Sequence, residues 1–577
     1  MIQYKVSYTS PHRQYIDFEA SFPCKGKSQV SLQLPAWRPG RYELGNFAKL
    51  IRSWAAFDER GNPLDFAKTT KDLWQIETNG CDFVTIKYDF YANTLNAGST
   101  WLDEEQLYIN PVNCFFYLPD QQDLGYEIEL DIPEDYQVAC GMTSPKKHVL
   151  KAANVQEVMD CPFIASNTIQ KWTYEVEQVE YHIWIQGEIH FEIERFINEH
   201  KAFTLSQLEA FESIPCDEYH FMYQFPAFQS RHGVEHQNST VITMGPAIML
   251  SEERVYRELI GISCHELYHT WNIKSIRPLE MMPYDFSKEN YSRLGYVAEG
   301  VTTYFGDQYL HRSGAFDDEE FFGRLATTIE RHIHNPARFN LSVAESSWDT
   351  WLDGYVSGIP GRKVSIYNEG SLTALITDLW ILSSTGGTKS LDDVMRILYQ
   401  EKGLSNTGYS EKEYRAICNS VAAKPVDEIF DRLIYGIEDY LPWLDRMLAT
   451  IGMEIDLDNN PDSLAREAGL KLNKSGSVIA VYPDSPGDTK GIALGDTIVA
   501  VNGIKLEKFN RKGEETITAI QFSRHGNIRD VAVEFERNYY PKLTLALDLN
   551  RTRNQSSLYA AWCRKGKIMS FIKDTMK

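Results

Sequence analysis

Short segments in the first 165 residues alternate between apolar and polar positions. Apolar side chains occupy every second position of residues 16–22, 84–90 and 126–132, with acidic, hydroxyl or lysine side chains between them. In a β-strand successive side chains point to opposite faces, so this alternation is typical of strands with one buried face. Pro, Gly and Asn separate the segments. The pattern predicts a β-sandwich-like N-terminal domain.

One stretch of this predicted β domain does not alternate. Residues 34–42 read LPAWRPGRY, in which two prolines and a glycine favour a rigid turn that carries aromatic and basic side chains. A structural role is the simpler interpretation, although the turn is also able to reach a cleft.

After about residue 170 the pattern becomes mixed. Residues 181–185 and 221–225 are strand-like, and the chain from about 273 to 450 is mainly helical in its periodicity. Residues 291–312 predict a helix with an apolar stripe, which Gly300 interrupts at some cost in helix stability. The members of the stripe are Leu294, Val297, Val301, Tyr304 and Phe305.

The segment from Ser251 to about Asn272 also predicts a helix. Val255, Leu259 and Ile262 recur at helical spacing and give the segment a buried face. Ser251 is able to cap the start, and the two glutamates that follow it complement the helix dipole.

Residues 455–545 have the pattern of a further, smaller domain. Two strand-like runs, 476–482 and 497–501, are linked by a Ser-Pro turn and a Gly-Asp turn, and Asn-Gly at 502–503 predicts a hairpin turn. The predicted fold class is therefore multidomain α+β. The predicted divisions are a β-rich N-terminal domain, 1–168; a mostly helical domain, 169–454; a small β domain, 455–545; and a tail with a possible short helix, 546–577.

Composition narrows the class of protein. The chain has 577 residues, which is too many for one hydrophobic core and consistent with about three domains. Its formal net charge of -22 argues against nucleic acid and anionic membranes as partners, because both would repel this surface. Nine scattered cysteines, never in a C-x-x-C pair, favour reduced thiols and a cytoplasmic location. No signal-peptide pattern and no apolar run of membrane-spanning length are present in the sequence.

The clearest chemistry lies in HELYH, residues 265–269, inside the predicted helix. Positions four apart lie on the same side of a helix, so His265 and His269 can direct two imidazole nitrogens at one metal ion. Glu266 is offset around the helix axis, where it can meet a water on that metal. This H-E-x-x-H arrangement is typical of zinc peptidases; the alternative is two histidines packed in an ordinary helical core.

A hydrolytic zinc site takes three protein ligands and leaves one position for water. Glu299, thirty residues beyond His269, is the candidate for the third ligand. An unpaired carboxylate in an apolar helical stripe is costly, and a metal ion removes that cost. The alternative is a glutamate paired with an arginine such as Arg293. Together with the histidine pair, Glu299 predicts one zinc ion per chain.

The predicted mechanism follows from charge. Zinc lowers the pKa of its bound water towards about 7 and polarises the scissile carbonyl. Glu266 takes the proton from that water and later passes it to the leaving amine. The oxyanion needs a further donor, for which a tyrosine hydroxyl is suitable. Tyr367 in the run SIYNEG is the candidate, although spacing alone does not select it from 32 tyrosines.

The run HELYHTWNIKSIRP at 265–278, with Glu-Gly at 299–300 after it, resembles the glycyl aminopeptidase family of PDZ-containing zinc peptidases. The catalytic domain of that family is thermolysin-like, and the resemblance covers most of the chain. It also rests on shorter motifs, which are WRPG at 37–40, GVEH at 233–236, YNEG at 367–370, and the PDZ-like pairs GD at 495–496 and NG at 502–503.

The resemblance implies a role for each matching residue. The zinc ligands are His265, His269 and Glu299, the base is Glu266, and the transition-state donor is Tyr367.

The resemblance also implies that Glu235, with Gly233 beside it, binds substrate where related aminopeptidases hold the free α-amine. A carboxylate near the metal can pair with an ammonium group and so measure one residue from the end of a chain. The alternative is a glutamate in a surface loop.

Several positions depart from the family pattern. His232 stands where the family usually has a second glycine, and Tyr296 where it usually has tryptophan. Ile366 and Glu369 stand where the family usually has tyrosine and lysine. Glu369 changes the local charge, while the metal-binding motif itself is intact.

The sequence therefore predicts a zinc-dependent aminopeptidase that hydrolyses N-terminal residues, Gly or Ala, from peptides with a free N-terminus. One alternative is a zinc endopeptidase with the same chemistry. Another is a non-catalytic protein that binds peptides through the PDZ-like domain, against which the intact Glu266 argues. The PDZ-like domain is also able to bind a further peptide or protein ligand.

Overall fold

The computed structural model describes residues 1–355, 358–513, 515–534 and 537–564. Over these residues the chain is α+β, with several sheets and a large helical region. In the same residues, no helix combines the length and the apolar character that crossing a membrane requires.

The first 168 residues are mostly strands. The strands are β1 (Ile2–Ser7), β2 (Tyr15–Pro23), β3 (Gln29–Gln33), β4 (Ile51–Asp58), β5 (Phe66–Lys68), β6 (Leu73–Glu77), β7 (Phe83–Tyr91), β8 (Trp101–Leu102), β9 (Leu107–Ile109), β10 (Tyr126–Asp131), β11 (Gln137–Cys140), β12 (Thr143–Lys146), β13 (Val149–Ala152) and β14 (Phe163–Ser166), and the helices are α1 (Pro111–Cys114) and α2 (Val155–Val158).

The three alternating segments form strands β2, β7 and β10 of one seven-stranded sheet. The sheet order is β12-β13-β10-β1-β2-β7-β4, and β2 pairs antiparallel with β7, with Phe18 opposite Tyr88. The apolar positions of β2 are buried, so the predicted alternation is confirmed. Two smaller sheets, β11-β14-β9-β8 and β3-β6-β5, accompany the large one.

Residues 169–454 combine one sheet with a group of helices. Their elements are β15 (Gln170–Val176), β16 (Val179–Gly187), α3 (Ile193–Phe211), β17 (Glu218–Phe225), β18 (Ser230–Glu235), β19 (Ser239–Gly245), α4 (Glu253–Tyr268), α5 (Thr302–Ser313), α6 (Asp318–His334), α7 (Val343–Trp348), α8 (Thr350–Asp353), α9 (Asn368–Ser384), α10 (Leu391–Leu398), α11 (Glu411–Val421), α12 (Asp427–Ile429) and α13 (Leu441–Thr450). The sheet order β15-β16-β17-β19-β18 leaves β18 at an edge, where α4 packs against it.

Two details of the predicted helices are wrong. Helix α4 begins at Glu253, because Ser251 ends a preceding 3₁₀ turn and donates its hydroxyl to the carbonyl of Ile248 at 2.7 Å. The helix predicted from residue 291 begins only near Gly295, with a π-helical turn at Tyr296–Val301 that leads into α5.

Gly300 has a packing reason to interrupt the apolar stripe. A Cβ atom on Gly300 would lie 2.4 Å from the Cα of Gly370 in α9. The two glycines therefore let the π-helical turn and α9 approach backbone to backbone. This approach brings the start of α9 close to Glu299.

The remaining described residues form small sheets and two helices. Their elements are β20 (Met453–Asp458), β21 (Leu470–Leu472), β22 (Val478–Val481), α14 (Pro486–Thr489), β23 (Thr497–Val501), β24 (Ile504–Lys505), β25 (Ala519–Arg524), β26 (Asn527–Ala532), β27 (Lys542–Leu547) and α15 (Arg553–Cys563). Asn502 and Gly503, with φ values of 49° and 76°, join β23 to β24 in the predicted hairpin turn.

The possible short helix of the tail is α15, and it packs on the central helices. The indole N–H of the buried Trp562 donates to the hydroxyl of Tyr304 at 2.9 Å, and Gln308 donates to the carbonyl of Trp562 at 2.8 Å. These contacts fasten α15 to α5, the helix that follows the π-helical turn. The rest of the predicted tail, 565–577, lies outside the described residues.

Candidate active site

Helix α4 carries the two histidines at its C-terminal end. The Nε2 atoms of His265 and His269 lie 3.0 Å apart, as positions four apart on one helix face predict. His269 is buried, whereas His265 is partly exposed and lines a cleft. The two imidazoles therefore converge on one point beside that cleft.

Glu299 reaches the same point from the π-helical turn. Its Oε2 lies 3.5 Å from Nε2 of His269 and 3.9 Å from Nε2 of His265. The proposed alternative partner, Arg293, instead binds Glu345, with its Nε 2.8 Å from the carboxylate. The structure thus brings together the three residues predicted as ligands, with one ligand atom from each within 4.8 Å of the others.

Outer contacts orient two of these three side chains. Nδ1 of His269 lies 2.6 Å from the carbonyl oxygen of Asn272, so its N–H donates there and Nε2 is free to face the cluster as an acceptor. Tyr42 of the N-terminal region donates its hydroxyl to Oε1 of Glu299 at 3.1 Å, which leaves Oε2 directed at the histidines.

The side chains of the cluster carry an excess of carboxylates, which a positive charge would stabilise. Burial and the neighbouring His269 hold the pKa of His265 well below its ordinary value. Burial also acts to lower the pKa of His269, but the Glu299 carboxylate outweighs it and raises that pKa to about 9. For Glu266, burial and the carboxylates of Glu235 and Glu299 raise the pKa to about 8. Three carboxylates packed around two imidazoles are costly to keep ionised without a compensating cation.

These residues fit a zinc ion. Two imidazole nitrogens and one carboxylate oxygen are a usual donor set for catalytic zinc. His265, His269 and Glu299 supply that set, and a divalent cation would offset the charge of the buried carboxylates.

Gly233 allows the edge strand β18 to lie directly over Glu266. A Cβ atom at Gly233 would lie 2.3 Å from Oε1 of Glu266 and 2.8 Å from a methyl carbon of Ile262. Any larger residue would displace the Glu266 carboxylate. The glycine predicted to contact substrate is therefore also required for the position of Glu266.

Glu235 is the last residue of β18 and lies beside Glu266 and His269. It is only 4% exposed, so the alternative of a surface loop glutamate is wrong. Its carboxylate, that of Glu266 and one nitrogen of His269 lie within 4.8 Å of one another. Oε1 of Glu235 is buried and has no hydrogen-bond partner among the described residues, whereas most buried acceptors have one.

The turn at residues 38–41 covers Glu235. A Cβ atom at Gly40, whose φ is 77°, would lie 2.5 Å from Oε2 of Glu235. Arg38 is buried beside it, and its positive charge acts on Glu235. The motif WRPG thus forms a wall over the Glu235 carboxylate. Of the two interpretations of this turn, the one in which it reaches a cleft therefore fits the structure.

Tyr367 lies immediately before α9 and lines the same cleft as His265 and Glu266. Its hydroxyl is 3.3 Å from the hydroxyl of Tyr355. Burial and the charge of Glu299 raise the pKa of Tyr367 well above its ordinary value, so the phenol stays protonated and able to donate. The close approach of α9 to the π-helical turn accounts for this placement.

His232 and Glu369, two of the residues that depart from the family pattern, both have hydrogen-bond partners nearby. The ring of His232 lies between Arg38 and Asn96, with its nitrogens 3.1 Å from Arg38 Nη2 and 3.1 Å from Asn96 Oδ1. Glu369 is buried and accepts the backbone N–H of Ser365 at 3.0 Å. His232 therefore holds Arg38 in the wall, whereas Glu369 contributes to the start of α9.

Sequence reasoning did not assign Tyr42 or Arg38 to the site. Both belong to the segment 34–42, whose aromatic and basic side chains were the available signal. Nothing in the local pattern indicates that a turn in the β-rich region contacts a glutamate more than 250 residues away.

The cleft continues away from Glu235 as a groove with a volume of about 1300 Å³. Its walls are β18, α4 and α6, and its floor includes the catalytic end of α4. Glu235 is not among the residues that line this groove.

Two protein-family profiles match parts of the chain. Residues 3–167 match the profile of the Peptidase M61 N-terminal domain, and residues 258–373 match the profile of the M61 glycyl aminopeptidase. No curated protein sequence matches the chain.

One solved structure shares the fold over nearly the whole chain, and others resemble it more weakly. An aminopeptidase N family protein from Idiomarina loihiensis has a TM-score of 0.89 at 24% identity, covering 98% of this chain and 100% of that one. An M1 zinc metallopeptidase from Deinococcus radiodurans has a TM-score of 0.46 at 10% identity, covering 76% of this chain and 94% of that one. A mutant of an M1 zinc metallopeptidase from the same organism, bound to a Tyr-Ser-Ala substrate, has a TM-score of 0.46 at 11% identity and the same coverage.

The two family profiles match the same stretches that carry the HELYH, Glu299 and WRPG motifs. They confirm the resemblance drawn from those motifs and the prediction of a hydrolase. The chain is thus similar to the M61 glycyl aminopeptidase family over residues 3–167 and 258–373, and these matches support a zinc aminopeptidase.

Proposed function

We propose that this zinc aminopeptidase removes small N-terminal residues, Gly or Ala, from peptides with a free N-terminus, and that it uses one zinc ion held by His265, His269 and Glu299. The convergence of these ligand atoms within 4.8 Å supports the metal assignment. The outer contacts from Asn272 and Tyr42 support it further, because such contacts fix ligand orientation in zinc sites.

When bound, zinc supplies Lewis-acid polarisation of the scissile carbonyl and an acidified water. Glu266 is the group that receives the proton of the attacking water, since it follows His265 on α4 and faces the same cleft. Glu266 then gives that proton to the departing amine nitrogen. Gly233 keeps the carboxylate free to move between these two positions, because no side chain lies between β18 and Glu266.

Tyr367 donates a hydrogen bond to the oxygen that gains negative charge in the transition state. Its phenol remains protonated in this environment, and it lines the cleft beside Glu266. A neutral donor placed where charge develops stabilises the transition state more than the substrate.

Glu235 carries the assignment of an aminopeptidase rather than an endopeptidase. A buried carboxylate with an unpartnered oxygen, next to Glu266 and His269, suits a substrate ammonium group. The turn at residues 38–41 packs against Glu235, with Gly40 beside the carboxylate, and would block a chain that continued past that point. A substrate whose amine pairs with Glu235 therefore presents its first peptide bond to the catalytic groups.

The same wall supports the preference for small residues. Gly40 packs against Glu235, and Arg38, held by His232, fills the adjacent space. A glycine or alanine side chain adds little volume there, whereas a larger one would have to displace the buried turn.

We further propose that residues 455–545 form a PDZ-like domain that binds a peptide or protein ligand. The support is a separate apolar cluster within these residues and the positive-φ Asn-Gly turn between β23 and β24. The proposed domain limits are 1–168, 169–454, 455–545 and 546–577, and they rest on the sequence pattern. The proposed cytoplasmic location rests on the nine scattered cysteines of the sequence. A purely peptide-binding protein would have no use for the buried His–His–Glu cluster beside Glu266.

Paired substrates test the proposed function. Alanyl and glycyl peptides are supplied with a free N-terminus or with an N-acetyl group, and zinc content is measured in the same protein. We expect about one zinc per chain, release of free Ala or Gly, and at least a hundredfold preference for the free amine. Equal cleavage of both forms would favour the endopeptidase, and peptide binding without hydrolysis by metal-replete protein would favour the binding module.

A further inference from the structure

We propose that the groove beside the catalytic cluster binds the leaving part of the substrate, and that the enzyme is adapted to polar oligopeptides with about five residues beyond the scissile bond. This inference rests on the proposed aminopeptidase function and adds a substrate class to it. Dipeptides and single aminoacyl derivatives would leave most of the groove empty.

The groove has walls that suit an extended chain. One wall is β18, the edge strand of its sheet, whose outer side faces the groove at residues 231–233. The opposite walls are α4 and α6. An edge strand offers backbone donors and acceptors to a second extended segment, which can add to the sheet.

The direction of a bound peptide follows from two contacts. Gly233 lies over Glu266 near the end of α4, and Arg231 pairs with Glu258 two turns earlier, with an N–O distance of 3.3 Å. Moving from Glu235 back along β18 therefore also means moving back along α4. A peptide with its amine at Glu235 runs antiparallel to β18, and its C-terminal part enters the groove.

The length of the groove follows from helix geometry. It is lined by α4 residues from Glu253 and Arg254 to Glu266. The stretch from Arg254 to Glu266 rises about 18 Å, at about 1.5 Å per residue. An extended peptide advances about 3.3 Å per residue, so about five residues fit between the catalytic groups and Arg254.

The charge of the groove indicates the chemistry of the bound segment. Arg231 of β18 pairs with Glu258 of α4 at 3.3 Å, and two further ion pairs lie within the helices, Arg254–Glu258 on α4 at 2.5 Å and Arg324–Glu320 on α6 at 2.6 Å. Positively and negatively charged side chains therefore lie next to each other in the groove, although the whole chain is strongly acidic. Polar and charged residues can exchange partners with these pairs, whereas an apolar segment would only desolvate them.

A length series on the unmodified enzyme is the primary test. Peptides of two, three, four, six and eight residues share an N-terminal alanine and continue with serine and glutamine. We expect kcat/KM to rise at least tenfold from the dipeptide to the hexapeptide and to change little beyond it. A dipeptide cleaved as efficiently as the hexapeptide would overturn the inference while leaving the aminopeptidase function intact. Failure to release alanine from every peptide would instead count against the proposed function.

Gly323 offers a way to fill the groove. It lies on α6, lines the groove, and a Cβ atom built on it meets nothing within 4 Å. Replacing a helical glycine does not strain the helix, since glycine is among the poorest helix formers. We expect Gly323→Trp to lower the ratio of kcat/KM for the hexapeptide to that for the dipeptide about fivefold.

Ala416→Trp is the matched control, because Ala416 is an exposed residue of α11 and does not line the groove. It should leave the ratio at the value of the unmodified enzyme. An unchanged ratio in folded Gly323→Trp would count against the groove as the binding surface, and the smaller Gly323→Gln provides the same readout if the tryptophan variant does not fold.

Discussion

The metal-ligand cluster and the wall over Glu235 differ in how they are built. All three proposed ligands come from residues 265–299, on one helix and the π-helical turn that follows it. The wall combines the end of β18 with the turn at residues 38–41, almost 200 positions earlier in the chain. Chemistry is thus encoded locally, whereas the selection of a chain end depends on contact between distant segments.

The difference also separates two functions that one site combines. The cluster and Glu266 are able to act on any peptide bond brought to them. In the proposed function the wall decides which bond is brought there, since the turn at residues 38–41 lies against Glu235. Substitutions on the two sides should therefore change different kinetic quantities, and each prediction below tests that separation.

The largest effect is expected from Glu266→Gln, on the cluster side. The amide keeps the shape of the carboxylate but cannot accept the proton of the attacking water, so kcat should fall on the order of 10³-fold. Zinc content, measured by elemental analysis, should stay at the level of the unmodified protein because Glu266 is not one of the three converging ligands. Near-normal turnover at full zinc occupancy would remove Glu266 from its role as base.

Tyr367→Phe should cause the second-largest loss of kcat. Loss of one donor to the developing oxyanion lowers kcat about 100-fold, with a much smaller change in KM, because the contact strengthens only in the transition state. Steady-state kinetics with alanyl peptides measure the two parameters separately. A change confined to KM would show that Tyr367 only contacts the bound substrate.

Glu235→Gln tests the wall side. Removing one partner of a buried charge pair costs about 2–5 kcal/mol, so kcat/KM for peptides with a free amine should fall about 30-fold or more. The residual cleavage of N-acetylated peptides should not fall, because they have no ammonium group to lose. The control is Glu401→Gln, an exposed glutamate far from the cluster in sequence.

An equal loss on free and acetylated peptides would show that Glu235 supports the cluster rather than the amine. The comparison between cluster and wall would then no longer describe two separable functions.

The contrast between locally encoded features and contacts between distant segments also explains how much the sequence could predict. The HELYH spacing fixes two ligands through helix geometry, and Glu299 is conspicuous because a carboxylate breaks an apolar stripe. The alternating strands of the N-terminal region are read from a period of two in the same way. Each of these signals lies within a short window of sequence.

Features that depend on distant segments had no such signal. Gly300 was expected only to weaken its helix, and the reason for it is the backbone of Gly370 in α9. Ser251 satisfies the local rule for a cap, yet its hydroxyl bonds to Ile248 because a 3₁₀ turn precedes α4. Tyr42 belongs to an aromatic turn whose partner in the cluster cannot be read from its neighbours.

Tyr42→Phe should have the smallest effect. Tyr42 belongs to the wall segment, yet its hydroxyl donates to the proposed ligand Glu299 at 3.1 Å. The substitution therefore tests whether the wall and the cluster are separate in function. Loss of a group that orients a metal ligand typically lowers metal affinity by about 10-fold or more. We expect zinc to be lost at about tenfold lower chelator concentration, while kcat at saturating zinc and the preference for a free amine change little. Tyr8→Phe, which removes a hydroxyl elsewhere in the N-terminal apolar cluster, is the control and should leave zinc affinity unchanged. If Tyr42→Phe instead lowers the preference for free amines at full zinc occupancy, the hydroxyl acts through the wall. The N-terminal region would then select the chain end without contributing to the metal site.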